Sequence, residues 1–150
     1  MQGVEINVVG LVIVSHGRLA ESLLEAAFMI LGEQRQVKAV GLQVGEGLSD
    51  MQQKIQEAIQ CVDEGDGFII FADLQGGTPG NAACLLAGLS GFHLVTGVNL
   101  AMLLEVFTAR AGASAQELVD IAINAGRASI QDLGSEVKSR LQTSPTLGTP

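Results

Sequence analysis

From Ile6 to Val14 the chain is a nearly unbroken run of apolar, mostly β-branched residues, and it leads without a spacer through Ser15-His16-Gly17 into an amphipathic helix. A strand that alternates polar and apolar residues wets one face, whereas one that does not alternate must be covered on both. This segment alone calls for helices above and below a parallel sheet.

The rest of the sequence supplies those layers. After the first strand, Leu19, Leu23, Ala26, Ala27, Ile30 and Leu31 recur at helical spacing, and Gly32 is a stop. Val37 to Val44 reads as a second strand. Ser49 can cap a helix that carries Met51, Ile55, Ala58, Ile59 and Val62 on one face, before Gly65-Asp66-Gly67 turns the chain into the strand Phe68 to Ala72. Asp73 ends that strand. Thr78 as a cap, with Pro79 at the first helical position, predicts a helix to about Leu89, and Phe92 to Thr96 is the fourth strand. Asn99 can cap a helix holding Met102, Leu103, Val106 and Phe107, and another helix runs from about Ser114 to Ala125 with Gly126 as its stop. Ser129 to Leu133 is expected as a short edge strand. From Ser135 the sequence reads as a linker-like or disordered tail, so the domain is expected over residues 1–134 and the tail over 135–150. Strands alternating with helices imply parallel pairing, hence a three-layer α/β sandwich.

Several function classes are disfavoured by composition. Sixteen acidic against eight basic residues give a net charge of −8, which argues against nucleic acid as a partner. With 47% hydrophobic and only 16% charged residues, much of the surface should lie inside a core or a subunit contact, which predicts a homo-oligomer. Cys61 and Cys84 lie in apolar segments with no CxxC pair and no Cys/His cluster; they read as small core residues in a reducing compartment, and no metal site is expected. The segment Met1 to Glu5 lacks the basic region of a signal peptide, so a cytoplasmic location is expected. No Asp, Glu, Lys or Arg occurs from Gln75 to Leu104, long enough in principle to cross a bilayer, but Gly76-Gly77-Thr78-Pro79-Gly80, Ser90-Gly91 and Thr96-Gly97 cut the stretch into short elements. Direct membrane insertion is not expected.

In open α/β sheets ligands bind beyond the carboxyl ends of the strands, where the strand order reverses. Three segments place polar residues there: Ser15-His16-Gly17, then Asp73 with Gly76, Gly77 and Thr78, then Gly97 with Asn99. Each alone reads as a structural histidine, an ordinary turn or a plain cap. If the first and third strands are neighbours, however, His16 and Asp73 come within hydrogen-bonding reach while helix N-termini point at the same spot. A carboxylate bonded to one ring nitrogen fixes the tautomer and turns the other lone pair outward, the arrangement a histidine needs to attack phosphorus. Backbone N–H groups near Gly77 and Thr78 would then hold the moving phosphoryl oxygens. Arg18 is better read as a solvated helix-start residue and His93 as structural. No GxGxxG follows a strand and no GxxxxGK[ST] occurs, so no nucleotide cofactor is expected and the phosphoryl donor should be a protein or small carrier.

Across residues 6 to 133 the chain resembles the enzyme IIA domain of the mannose family of the bacterial phosphoenolpyruvate-dependent sugar phosphotransferase system. The matching segments are Val12-Ile13-Val14-Ser15-His16-Gly17, Leu19-Ala20-Glu21 through Leu31-Gly32-Glu33, Asp73-Leu74-Gln75-Gly76-Gly77-Thr78-Pro79 with Asn81-Ala82-Ala83, and Gly97-Val98-Asn99-Leu100 with Met102-Leu103. The resemblance implies that His16 is the phosphorylated residue, charged by phospho-HPr and discharged to a IIB histidine, which phosphorylates sugar entering through the IIC and IID membrane subunits. It implies Asp73 as the hydrogen-bonding partner of His16 and Thr78 beside the phosphate. It further implies a homodimer with a four-stranded parallel sheet and a short antiparallel strand exchanged between subunits, which would fit Ser129 to Leu133. Gly80, where the family often has a bulky residue, and Ala101, where proline is common, depart from the pattern on the expected site rim.

Two other readings share a histidine at this place. Histidine phosphatases require an arginine directly before the His-Gly pair, where this chain has Ser15. A regulatory phosphohistidine receiver, in a transcription regulator or a dihydroxyacetone kinase relay, would use the same chemistry for a signalling output.

Overall fold

A computed structural model describes Ile6 and residues 8–143. The N-terminal segment, Asn7 of the expected first strand and the end of the expected tail from Ser144 lie outside the described residues.

Four strands and six helices follow one another among these residues: β1 Gly10–His16, α1 Leu19–Leu31, β2 Val37–Leu42, α2 Leu48–Val62, β3 Phe68–Ala72, α3 Thr78–Cys84, β4 Leu94–Thr96, α4 Leu100–Ala109, α5 Ala115–Ala128 and α6 Leu133–Thr143. The strands pair in parallel in the order β2-β1-β3-β4. Because β1 is followed in sequence by a strand on one side and later by a strand on the other, the order reverses between β1 and β3.

The side chains of the two faces explain the three layers. Leu11 and Ile13 of β1, Ile69 and Phe71 of β3 and Val95 of β4 bury against Ala20, Leu24 and Ala27 of α1, Leu103 and Val106 of α4, and Leu118 and Ala122 of α5. Val12, Val14, Phe68, Ile70 and Ala72 face the other way and pack on Met51, Ile55, Ile59 and Val62 of α2 and on Ala82 and Ala83 of α3. Both faces of β1 and β3 are thereby dry, as their uninterrupted apolar sequence requires.

At the pole of the sheet away from the strand C-termini, Arg110 is a buried cation. Its guanidinium donates to the carbonyls of Val9, Gln36 and Arg35 and lies over the Phe107 ring at 5.2 Å. Burial, together with the neighbouring charge of Arg35, pushes its pKa down to about 10. It ties the entrances of β1 and β2 together.

Some expectations fail for local physical reasons. The buried seam of α1 is Ala20, Leu24 and Ala27, while Leu19, Ile30 and Leu31 stay exposed. Helix α2 starts two residues earlier than expected: Gly47 is its cap, and the Asp50 carboxylate accepts the Gly47 N–H at 2.9 Å, so Ser49 lies inside the helix. Helix α3 stops at Cys84 and tightens into successive turns up to Leu89. Strand β2 ends at Leu42, and β4 begins only at Leu94, with His93 contributing its carbonyl to Ile70 before the strand proper. Cys61 and Cys84 are exposed rather than core residues.

The largest departures are at the C-terminal end. Gly126 does not stop α5; it lies within the helix, where a Cβ would meet Met102 Cε at 2.8 Å and Asn99 Nδ2 at 3.2 Å, so it lets α5 press against the start of α4. No strand forms over Ser129 to Leu133. The Ser129 hydroxyl donates to the Gly126 carbonyl at 2.7 Å and the Ile130 N–H turns back to Arg127, which closes the helix end. Asp132 then caps the next turn, accepting the Ser135 N–H at 3.0 Å. The tail that reads as a linker is helical to Thr143 as α6, with none of its residues buried. Among the described residues no helix is long and apolar enough to cross a membrane.

Candidate functional site

The pairing register brings His16 and Asp73 together. Val14 of β1 lies opposite Ala72 of β3, the last residue of that strand, and the Asp73 N–H extends the ladder by donating to the Val14 carbonyl at 3.1 Å. His16 is the last residue of β1, opposite Leu42 of β2. Both side chains therefore emerge at the carboxyl edge of the sheet, on either side of the point where the strand order reverses.

One carboxylate oxygen then binds the histidine twice. Asp73 Oδ2 accepts the backbone N–H of His16 at 2.9 Å and meets His16 Nδ1 at 2.7 Å, while Oδ1 accepts the N–H of Leu74 at 2.9 Å. An ionised carboxylate only accepts, so Nδ1 carries the ring proton and Nε2 keeps its lone pair. The Asp73 side chain is 6% exposed and the His16 side chain 50% exposed, which makes the carboxylate a buried anchor and the imidazole a presented group. Burial pushes the Asp73 carboxyl up, but the His16 N–H, the His16 ring and the Leu74 N–H outweigh it and hold the group below the ordinary carboxylate value of 3.8.

Gly77 determines how close the loop comes to the ring. A Cβ at this position would stand 2.7 Å from His16 Cε1 and 3.3 Å from Nε2, so no side chain larger than hydrogen fits while the imidazole stays where it is. Gly76, just before it, has φ +88°, a conformation that glycine adopts without strain. Gly77, not Thr78, is the cap of α3, with Thr78 at its first position and Pro79 at its second. The extended backbone of Gly77 explains why the cap shifts back by one residue. Gly80 is a buried residue of α3, not on the rim; its Cα faces the Leu74 carbonyl so closely that a Cβ would lie 3.0 Å from it. The packing of this loop therefore accounts for the missing bulky residue.

The third segment is tied to the same strand end but is otherwise engaged. The Val98 N–H donates to the Ala72 carbonyl at 3.1 Å, which sets the β4–α4 loop beside Asp73. Asn99 caps α4, its Oδ1 accepting the Met102 N–H at 3.0 Å and its Nδ2 donating to the Gly126 carbonyl at 3.4 Å. Gly97 and Asn99 line a hollow of about 350 Å³ with Leu94, Val119 and Ile123, which neither His16 nor Asp73 lines. Arg18 is exposed and pairs with Glu21 at 3.2 Å, and His93 Nδ1 lies 2.9 Å from the Gly91 carbonyl. Ser15, at the position where histidine phosphatases need arginine, is fully buried. The bracing role of Ser15 and the steric role of Gly77 carry no signal in the sequence; only the contacts around the His16 ring and its turn reveal them.

Comparison with known proteins gives a consistent result. The family model for the PTS system fructose IIA component matches residues 10–123. The chain is 31% identical over 144 residues to the PTS system mannose-specific EIIAB component of Escherichia coli strain K12, covering 95% of this chain and 45% of that protein. The chain thus spans less than half the length of that relative. It is 33% identical over 113 residues to the PTS system fructose-specific EIIA component of Bacillus subtilis, covering 75% of this chain and 77% of that one. Among solved structures, the mannose/sorbose specific IIA subunit of the phosphotransferase system from Enterococcus faecalis superposes with a TM-score of 0.74 at 30% identity, covering 82% of this chain and 92% of that one.

Two variants test the site geometry. Because the Asp73 carboxyl is held below its unfolded value, its contribution to stability is complete above that value and is lost as pH falls through the lower folded one. Asp73→Asn is therefore expected to flatten the decline in melting temperature on acidifying below about pH 4, as read by thermal unfolding across that range. Gly77→Ala is expected to push the imidazole off the carboxylate while leaving the fold intact, seen as loss of the hydrogen-bonded Nδ1 proton of His16 in ¹⁵N-resolved spectra with unchanged circular dichroism.

Proposed function

The chain belongs to the mannose family of EIIA domains, components of the sugar phosphotransferase system, and from that membership we propose that His16 takes a phosphoryl group from phospho-HPr and passes it to a histidine of a IIB domain or subunit. The observation that carries this reading is the 2.7 Å contact between His16 Nδ1 and a buried Asp73, on an imidazole that is half exposed.

The chemistry follows from that contact. Nε2 attacks phosphorus in line with the donor nitrogen, and the bond to the donor breaks as the new N–P bond forms. The Nδ1 proton stays against Asp73, whose negative charge stabilises the ring as it becomes cationic; a charge-assisted bond of this kind contributes about 1.5–3 kcal/mol. In this proposal the backbone groups of Gly76, Gly77 and Thr78, next to the ring, receive the phosphoryl oxygens, with the Thr78 hydroxyl adding one bond. Gly97 and Asn99 belong to the rim of the same strand end, on the loop that Val98 ties to β3. The reaction needs no cofactor and no metal, since the nucleophile and its charge partner are side chains of the chain itself.

The setting proposed for this reaction is the cytoplasm, with the IIC and IID membrane subunits reached only through IIB. We also propose a homodimer. Among the described residues the outer edge of β4 is unpaired in the sheet order, and the adjoining hollow presents Leu94, Val119, Ile123 and Ile130. An edge strand with an apolar flank favours a covering partner.

Incubation with phosphoenolpyruvate, enzyme I and HPr is expected to add one acid-labile, base-stable phosphate, absent from His16→Ala; an alanine variant that labels fully would refute the assignment. Sedimentation equilibrium is expected to give twice the chain mass, and a monomer at micromolar concentration would rule out the dimer.

A further inference from the structure

Ser15 is fully buried, and its hydroxyl is used twice. It accepts the N–H of Ala20 at 2.8 Å and donates to the carbonyl of His16 at 3.1 Å. The two bonds brace the turn His16-Gly17-Arg18 from the inside, joining the end of β1 to the first turn of α1. Arg18, at the cap position of α1, makes no capping bond with its side chain, so the Ser15 hydroxyl satisfies a first-turn donor that would otherwise have no side-chain acceptor.

The outer side of the same turn is fastened by backbone. The Gly17 N–H donates to the Leu42 carbonyl at 2.9 Å, Gly17 itself sits at φ +51°, and its carbonyl lies against the Cα of Gly41, where any Cβ would overlap it. The turn is therefore gripped between β2 and the core. Of these ties, the Ser15 hydroxyl is the one that a side-chain substitution removes.

We propose that Ser15 is a positioning residue for phosphoryl transfer, an inference that rests on the function assigned to His16 above. Asp73 holds the backbone N–H and Nδ1 of His16, which leaves the carbonyl side of the residue to be fixed by something else. Ser15 fixes it. With both sides of the residue held, the imidazole presents Nε2 along one line of approach, and an in-line displacement is sensitive to that line: a misplacement of about 1 Å can cost on the order of a hundredfold in rate. Ser15 touches no reacting atom and exchanges no proton.

The test uses a donor that needs no protein contact. Phosphoramidate transfers its phosphoryl group to Nε2 as its own P–N bond breaks; the electron pair leaves with the nitrogen, which takes a proton from water and departs as ammonia. The rate of phosphohistidine formation is followed by ³¹P NMR on wild type, Ser15→Ala and Ser15→Thr, well below the melting temperature of each. Ser15→Ala is expected to react about tenfold more slowly, a fraction of the loss that a full misplacement brings, and Ser15→Thr, which keeps the hydroxyl, to recover most of the rate. Ser15→Cys fills the same space with a poor hydrogen-bonding group and replaces the alanine variant should that one not fold; it too is expected to be slow. A purely structural serine would lower the melting temperature and leave these rates unchanged. A wild-type rate in the folded Ala or Cys variant, or a Thr variant as slow as they are, overturns the proposal. If wild type takes no phosphate at His16 from phosphoramidate or from phospho-HPr, it is the functional reading that fails; normal labelling of wild type with an unaffected Ser15→Ala removes Ser15 alone.

Discussion

One oxygen atom, Asp73 Oδ2, holds His16 by its backbone and by its ring, at 2.9 and 2.7 Å. The two bonds differ in what they do. The bond to the N–H locates the residue; the bond to Nδ1 sets the proton on that nitrogen and so leaves the lone pair on Nε2, the atom proposed to attack phosphorus. A carboxylate that served only as a charge partner in water would be screened and mobile. Here it is 6% exposed and receives a third N–H from Leu74, so it has little freedom to turn away from the ring.

That arrangement depends on the sheet order. Were β3 not adjacent to β1, Asp73 would stand two strand spacings from His16, near 10 Å, and no rotamer would bridge the gap. Adjacency follows from the apolar character of β1 and β3, which must occupy the two central positions because both of their faces need cover. The hydrophobic pattern that decides the fold thus also sets the distance on which the chemistry depends. Beside the carboxylate, two structural features act on the ring and its turn: the absent side chain of Gly77 admits the imidazole, and the buried Ser15 hydroxyl spans the turn that follows it.

How much of this the sequence revealed varies with the range of the interaction responsible. The sandwich, the parallel order and the meeting of His16 with Asp73 follow from strand-end placement, which periodicity makes visible. The cap of α4 by Asn99 is short-range and was equally legible, as was the start of α5 near Ser114, although not the capping box that Ser114 forms there with Glu117. Gly47 as the cap of α2 was hidden because its partner is the Asp50 side chain reaching back, while Ser49 offers the more familiar signal. Gly126 looks like a helix stop in sequence, but the close approach of Met102 gives it a different task. The bracing role of Ser15 and the steric role of Gly77 could not be read: a buried hydroxyl and a missing Cβ acquire these meanings only from the atoms packed around them in the fold. At the C-terminal end, Asp132 caps a helix where composition alone suggested an edge strand and a linker.

The openness of the site bears on what can react there. An enzyme that binds a small phosphorylated substrate needs a concave site with charged groups to hold the anion. His16 instead stands half exposed at the edge of the sheet, Arg18 beside it is engaged with Glu21, and the chain as a whole carries a charge of −8. A free phosphate compound meets net repulsion and has no docking surface of its own, so it reacts only by collision and slowly. A phosphoryl group carried on another protein does not depend on such retention, because the contact between the two proteins supplies the residence time and the alignment. An exposed imidazole with a fixed tautomer suits the proposed exchange in both directions, in which the same Nε2 would accept the group from one partner and then be reachable by the next.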